Sequence, residues 1–303
     1  MKLSVIIVTY NVVYFIDNCI KSILNATQFI DTEIIVVDNN SSDNTVNFLS
    51  NKYPNIKIIS NAINLGFAQA NNIAINQASG EYILILNPDT IIAEDTVEKA
   101  VCFIQEHPDC GALGVRMING YGIFLPESKR SLPTPSVAFY KIFGISKLFP
   151  KSKIINKYHL AEIDQNTTAP IDVLCGAFML IPKKVINTIG SFDETFFMYG
   201  EDIDLSYRIT KAGYKNYYFP QTTIIHFKGA STKKMSFSYV KLFYSAMIKF
   251  YLKHFAPINN KLYKAIITSA VIIKALFHLT KQFINKTFIP ISDAIIILSI
   301  MIT

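Results

Sequence analysis

Short apolar runs rich in β-branched residues recur through the first ninety residues with helical spacing between them, and this alternation constrains the fold more than any other feature. The runs are LSVIIVTY (3–10), EIIVVDN (33–39), IKIIS (56–60) and YILILN (82–87). Between the first two, Ile16, Ile20, Ile23 and Leu24 repeat at helical spacing; between the next two, Asp43 can cap a helix holding Val46 and Leu49. The pattern predicts βαβ units and therefore an α/β fold with a mostly parallel sheet flanked by helices.

Ligands of such sheets bind beyond the carboxyl ends of the strands. Those ends read Thr9-Tyr10-Asn11, Asp38-Asn39-Asn40 and Asn87-Pro88-Asp89. Asn and Asp also favour plain turns, so any one of them is ambiguous, but three in succession point to a ligand. Pro88 pushes Asn87 toward an extended conformation and cannot donate a ladder hydrogen bond, so the strand finishes there with Asp89 beyond it. A carboxylate in that place can bind a hard divalent cation whose other ligands are substrate phosphates. No GxGxxG follows the first strand and no GxxxxGK[ST] occurs, which removes the main support for dinucleotide or P-loop binding.

Further candidates lie downstream. In NAINLGFAQANNIAI (61–75), Gly66 precedes a helix with Ala70, Ile73 and Ala74; it permits close backbone approach and leaves amides at a helix start, though on its own a plain loop-to-helix turn explains it better. In YGEDIDLSYRITKAGY, Glu201, Asp202 and Asp204 occupy the first turn of a helix closed by Gly213, with Leu205, Ile209 and Ala212 on its buried side. Acids in a first turn also suit the helix dipole, and Asp202 is the one read as a base. His226 ends a strand and is followed by Lys228, Ser231, Thr232, Lys233 and Lys234, groups that suit a metal or a diphosphate. Residues 121–170 read as a long irregular insert.

Cys19, Cys102, Cys110 and Cys175 are widely spaced with no CxxC, so neither a zinc site nor a disulfide framework is expected, and reduced cytosolic thiols fit. The apolar N-terminal run leads into strand-like sequence without a small-residue cleavage site and is read as a core strand. The net charge of +7 is unevenly placed: 233–303 holds ten lysines and one acid, Asp293, leaving the first 232 residues at −2.

Together, VIIVTYN, IIVVDNNSSD, NLGFAQANN, LILNPDT, CGAFMLI, FDETFFMYGEDIDLSYR and HFKGAST resemble the family 2 inverting glycosyltransferases of GT-A fold, most closely their bacterial rhamnosyltransferase-like branch. The resemblance runs from Leu3 to about Phe255. It implies that Thr9, Tyr10, Asn11, Asp38, Asn40, Gly66, Phe67, Asn71 and Asn87 bind the sugar nucleotide, with Asp89 and His226 holding Mg²⁺ or Mn²⁺. It implies Asp202 as the catalytic base, Gly176, Ala177 and Glu201 on the acceptor side, and Lys228, Ser231 and Thr232 at the diphosphate. Asn87 stands where the family's DxD motif has its first acid, which removes one charge from the metal site.

The expected organisation is a catalytic domain over 1–235, with a nucleotide-sugar half to about 115 and an acceptor half after it, and a helical tail over 236–303. The donor expected first is dTDP-rhamnose, then UDP- or GDP-sugars, and the acceptor a glycan or lipid-linked hydroxyl in cell-surface polysaccharide synthesis. A sugar-phosphate nucleotidyltransferase is an alternative, as is an inactive membrane-bound assembly factor of the same fold. The first would want a Gly-rich basic loop after the first strand, which TYNVVYF is not; the second would be favoured by loss of Asp89 or Asp202, and both are present.

FSYVKLFYSAMIKFYLKHF mixes aromatics with Lys241, Lys249 and Lys253, and no stretch of the tail reaches the roughly 20 apolar residues of a bilayer span. A basic, aromatic helix suits an anionic membrane surface, and a peripheral or monotopic place on the cytoplasmic face of the inner membrane is expected. Packing on the catalytic domain or on a second copy would explain the same apolar positions, so a homo-oligomer is left open. Nucleic acid is not expected, because no groove-reading motif accompanies the charge.

Overall fold

The computed structural model describes residues 2–133, 160–227, 237–255 and single positions between 265 and 287. The chain divides into two compact units, Met1–Thr232 and Lys233–Thr303. In the first unit the strands are β1 Lys2–Thr9, β2 Asp31–Asp38, β3 Lys57–Ser60, β4 Tyr82–Leu86, β5 Thr90–Ile91, β6 Cys110–Ile118, β7 Ala169–Ile171, β8 Phe178–Pro182 and β9 Lys215–His226. The helices are α1 Val13–Ala26, α2 Thr45–Lys52, α3 Phe67–Gln77, α4 Thr96–Glu106, α5 Lys183–Ile189 and α6 Glu201–Lys211.

All nine strands form one sheet in the order β3-β2-β1-β4-β8-β6-β9-β5, with β7 also on β9. β1 to β4 run parallel, as the βαβ pattern predicts. The second half departs from a parallel sheet: β8 enters antiparallel between β4 and β6, and β5 and β7 pair antiparallel with β9. The short β5 and the long insert before β7 free these strands from the right-handed crossover that parallel neighbours require.

Alternate residues of β1 feed two cores. Leu3, Val5 and Ile7 pack with Ile16, Ile20 and Ile23 of α1, Leu49 of α2, and Val97 and Val101 of α4. Ile6 and Val8 pack on the opposite face with Ala70 and Ala74 of α3, Val185 of α5, and Leu205 and Ile209 of α6. Helices on both faces explain why β1, β2 and β4 read as continuous apolar runs, since a strand buried on both sides has no polar face. Leu24 departs from expectation: it is 45% exposed, because the stripe that faces the core is Ile16, Cys19, Ile20 and Ile23.

Asp43 does more than cap one helix. Its Oδ1 accepts from the Thr45 N–H at the start of α2 (3.1 Å), and its Oδ2 accepts from the Val13 N–H at the start of α1 (3.2 Å). One carboxylate thus serves the positive ends of two helices beside the strand ends.

β9 is not a uniform strand. Its register against β6 jumps from Val115↔Phe219 to Arg116↔Thr223, so Pro220, Gln221 and Thr222 bulge out. The bulge is held by Thr222 Oγ1 to Asp95 (3.1 Å) and Thr96 (2.8 Å), and by Lys99 Nζ to the Gln221 carbonyl (3.2 Å). An odd number of extra residues exchanges the faces: Tyr218 packs on the α3 side before it, and Ile224 on the α1 side after it. Thr90↔His226 pairing then places His226 opposite the residue that follows Asp89.

In the second unit the helix α7 spans Phe237–His254, with Ala246, Phe250 and Tyr251 buried. No helix among the described residues is long and apolar enough to cross a membrane.

Candidate functional site

The ends of β1 and β2 are tied side by side. Buried Asp38 accepts from Thr9 Oγ1 (3.0 Å), from the Ser41 N–H (2.9 Å) and from Ser41 Oγ (2.5 Å). Ser41 Oγ in turn accepts from the Asn11 N–H (2.9 Å), and Asn11 Oδ1 accepts from the Ser42 N–H (2.8 Å). Asn11 and Asn40 adopt left-handed backbone at φ 54° and 64°, a conformation that Asn tolerates better than most side chains. Tyr10, Asn11 and Asn40 are exposed at this rim, whereas Asn39 is buried and donates to the Gly66 carbonyl (2.9 Å). Asp38 is therefore fixed as an acceptor among several donors, with the Tyr10 ring exposed beside it.

Gly66 has φ 83° and ψ −179°, which essentially only glycine adopts. A Cβ there would fall 2.3 Å from the Phe197 carbonyl oxygen, the same oxygen that accepts from the Phe67 N–H at 2.7 Å. The start of α3 is thus fastened to the loop before α6. Asn71 donates to the Phe67 carbonyl (2.8 Å), and its buried Oδ1 has no hydrogen-bond partner.

Asp89 is 3% exposed, and His226 Nε2 approaches its Oδ1 at 3.4 Å. The Phe227 N–H donates to the Asp89 carbonyl (2.9 Å), and the Asn87 N–H donates to the Ala177 carbonyl (3.1 Å). The turn is closed by Thr90 Oγ1 on the Asn87 carbonyl (2.7 Å). Among the described residues, no cluster of three or more His, Cys, Asp or Glu could hold a metal alone. A buried carboxylate with an imidazole, the latter carrying an unpartnered Nδ1, suits a cation whose remaining ligands come with the substrate.

Asp202 is the second residue of α6, which starts behind Tyr199 and Gly200, two successive residues of positive φ. Its Oδ2 accepts from Arg130 Nη2 (2.6 Å) and from the Gly176 N–H (3.3 Å), and its Oδ1 from the Ile203 N–H (2.8 Å). A Cβ on Gly176 would lie 3.6 Å from both Asp202 Cβ and the Phe67 ring. Glu201 is buried with Oε2 unpartnered, and burial, reinforced by the Asp202 charge, pushes its carboxyl from the ordinary 4.5 to about 8 against the opposing Arg130 guanidinium. Asp204 lies apart, fully buried on Arg208 Nε (2.7 Å), whose other nitrogens satisfy the carbonyls of Ile189, Gly190 and Ser191. Its role is structural.

Asp202 and the Phe67 ring both lie beside Gly176, and the Asn87 amide joins Ala177, so several segments singled out in the sequence meet past the end of β4 and before the start of β8. Lys228, Ser231 and Thr232 lie outside the described residues. Sequence reasoning passed over Asn39, Ser41 and, most consequentially, Arg130. A signal for Arg130 existed: the chain has 26 lysines and three arginines, and arginine is the cation suited to fixed, buried carboxylate contacts.

The family model "Glycosyl transferase family 2" matches residues 4–190, more than half of the chain. The N-acetylglucosaminyl-diphospho-decaprenol L-rhamnosyltransferase of Mycobacterium tuberculosis (strain CDC 1551 / Oshkosh) is 26% identical over 241 residues, 76% of this chain and 77% of its own. Rhamnosyltransferase WbbL of Escherichia coli (strain K12) is 28% identical over 203 residues, 64% of this chain and 72% of its own. Among solved structures, Staphylococcus aureus TarS 1-349 in complex with UDP-GlcNAc superposes with TM-score 0.54 at 22% identity, over 90% of this chain and 72% of that one. Mannosyltransferase PcManGT from Pyrobaculum calidifontis in complex with GDP-Man and Mn²⁺ gives TM-score 0.55 at 18% identity, over 99% and 79%. These two share the fold, which is the GT-A arrangement expected from the sequence, and the nucleotidyltransferase alternative loses its ground. The chain belongs to glycosyl transferase family 2: it is a rhamnosyltransferase-like glycosyltransferase.

Proposed function

We propose that the protein transfers a sugar, with inversion, from a nucleoside-diphosphate sugar to a hydroxyl of a glycan or lipid-linked acceptor. The observation that carries this reading is the meeting at Gly176: its N–H reaches the Asp202 carboxylate, and the Phe67 ring of the donor-side helix start lies beside the same glycine. Asp202 takes the proton from the acceptor O–H as that oxygen bonds to the anomeric carbon. The bond to the diphosphate breaks on the opposite face, and its electron pair leaves on the phosphate oxygen. Asp89 and His226 would hold the divalent cation, which when bound neutralises charge on the departing diphosphate. Thr9, Tyr10, Asn11, Asp38 and the Gly66–Asn71 segment bind and orient the nucleotide.

dTDP-rhamnose is the first donor to try, because two relatives are named for rhamnosyl transfer; solved neighbours carrying UDP-GlcNAc or GDP-Man keep UDP- and GDP-sugars in the screen. A lipid-linked acceptor is supported by the diphospho-decaprenol in one relative's name. The experiment is nucleoside diphosphate release with each donor, wild type against Asp202→Asn. Turnover is expected to vanish in the variant while nucleotide binding persists; undiminished turnover would remove Asp202 from the mechanism.

The compact division after Thr232 supports a catalytic domain ending near 235 and a tail that works at the cytoplasmic membrane surface. Lys249 and Lys253 are exposed on α7, and farther on Ile272, Ile273 and Leu276 are all about half exposed or more, at 49%, 62% and 57%. Truncation after Thr232 is expected to abolish co-sedimentation with anionic vesicles; retention would remove the tail from membrane binding.

A further inference from the structure

Glu201 and Asp202 are adjacent acids, both largely buried, and two such carboxyls cannot both ionise cheaply. Something must decide which of them is the acceptor of a proton. The Arg130 and Asp202 side chains are 12% and 14% exposed and meet at 2.6 Å, a strong charge-assisted contact. The same Nη2 also donates to the Leu174 carbonyl. Arg130 is anchored from behind as well: the Val173 N–H donates to its carbonyl (3.0 Å), in an antiparallel bridge between the two residues. The strip from Val173 to Gly176 thus holds the guanidinium by its backbone and by Leu174, and holds the carboxylate by the Gly176 N–H.

We propose that Arg130 is the positioning residue of the transfer step, holding Asp202 rather than Glu201 as the carboxylate that takes the acceptor proton. The inference rests on the reading of Asp202 as the base. Charged and titratable groups around it are few in kind: Arg130 is the cation, Glu201 is its neighbour on α6, and Cys175 lies on the facing strip with Glu127 beyond it. Glu201 Oε2 has no hydrogen-bond partner, whereas Asp202 is aimed by contacts to both oxygens, from Arg130 and Gly176 on one and from the Ile203 N–H on the other. A lysine could supply the charge, but its ammonium turns freely on a shorter stem, whereas the rigid guanidinium holds Nη2 in one place between Asp202 and the Leu174 carbonyl.

The test uses the full chain and nucleoside diphosphate release from dTDP-rhamnose, or from whichever UDP- or GDP-sugar turns over. Arg130→Gln is expected to lower kcat about 100-fold with donor KM within about twofold, and to move the acid limb of the kcat/KM profile to higher pH. Arg130→Lys is expected to keep the limb in place and recover only part of kcat. A folded Arg130→Gln protein with an unmoved limb overturns the proposal. If that variant does not fold, Arg130→Lys decides, and wild-type kcat in it overturns the proposal. Asp202→Asn separates the two readings: turnover in it removes the base and this inference together, whereas a dead Asp202→Asn beside an unmoved Arg130→Gln limb removes the inference alone.

Discussion

His226 Nε2 lies 3.4 Å from Asp89 Oδ1, and the two meet because Thr90 pairs with His226 where the two-residue strand β5 joins the end of β9. Each residue supplies one contact to the proposed cation. Asp89→Ala and His226→Ala should each weaken Mn²⁺-dependent nucleoside diphosphate binding roughly 10- to 100-fold, the effect of losing a charged contact of about 1.5–3 kcal/mol. Calorimetry with and without Mn²⁺ checks this; equal affinities in wild type and variants would refute it.

Glu201 makes stability depend on pH in a predictable direction. Its folded carboxyl titrates near pH 8 instead of 4.5, so across that window the folded protein keeps a proton that the unfolded chain releases. Stability contributed by this group is complete below about pH 4.5 and is lost as pH rises through about 8, with a slope of up to about 1.4 kcal/mol per pH unit. Glu201→Gln, which has no proton to lose, should flatten that slope in denaturant titrations between pH 5 and 8.5. Parallel curves for the two proteins would show that Glu201 is ionised throughout.

A methyl group at residue 66 should be costly. Gly66→Ala places Cβ 2.3 Å from the Phe197 carbonyl oxygen in a backbone region that alanine avoids, a loss of at least about 2 kcal/mol in urea titration. Gly122→Ala is the control, because its φ of 78° carries the backbone cost while nothing lies within 4 Å of the new atom. Equal losses in the two variants would mean that the contact with Phe197 is not what constrains this position.

Asp204→Ala should cost about 3–5 kcal/mol, since it strands the Arg208 guanidinium opposite a fully buried position. Donor KM should stay unchanged, because Arg208 carries the pair to the carbonyls at and just after the end of α5. A thermal melt and a donor titration on one preparation check both halves; a changed KM would move Asp204 into the site.

The first half of the sheet was legible because strands buried on both faces write themselves as apolar runs, and their polar ends mark where the site lies. Asp38, Asp89 and Asp202 stand out for that reason: each is an acid abruptly following or opening a regular element. The rarity of arginine marks Arg130, but its partner was not legible, because nothing local in ESKRS says that the guanidinium reaches a carboxylate on α6. Nor does any local rule show that β8 enters antiparallel between β4 and β6, since a buried antiparallel strand and a buried parallel one have the same apolar composition. Asp89 and His226 could each be singled out, but their contact depends on a pairing only two residues long.

The three-residue bulge at Pro220–Thr222 acts on β9 as a frameshift acts on a message: everything after it is read from the other side of the sheet. Removing one residue there would leave the amino acids of the site intact and yet swing the His226 ring to the face opposite Asp89. The spacing between Phe219 and Thr223 is therefore as much a part of the proposed cation site as Asp89 and His226 themselves, and side-chain identity alone would not reveal its loss.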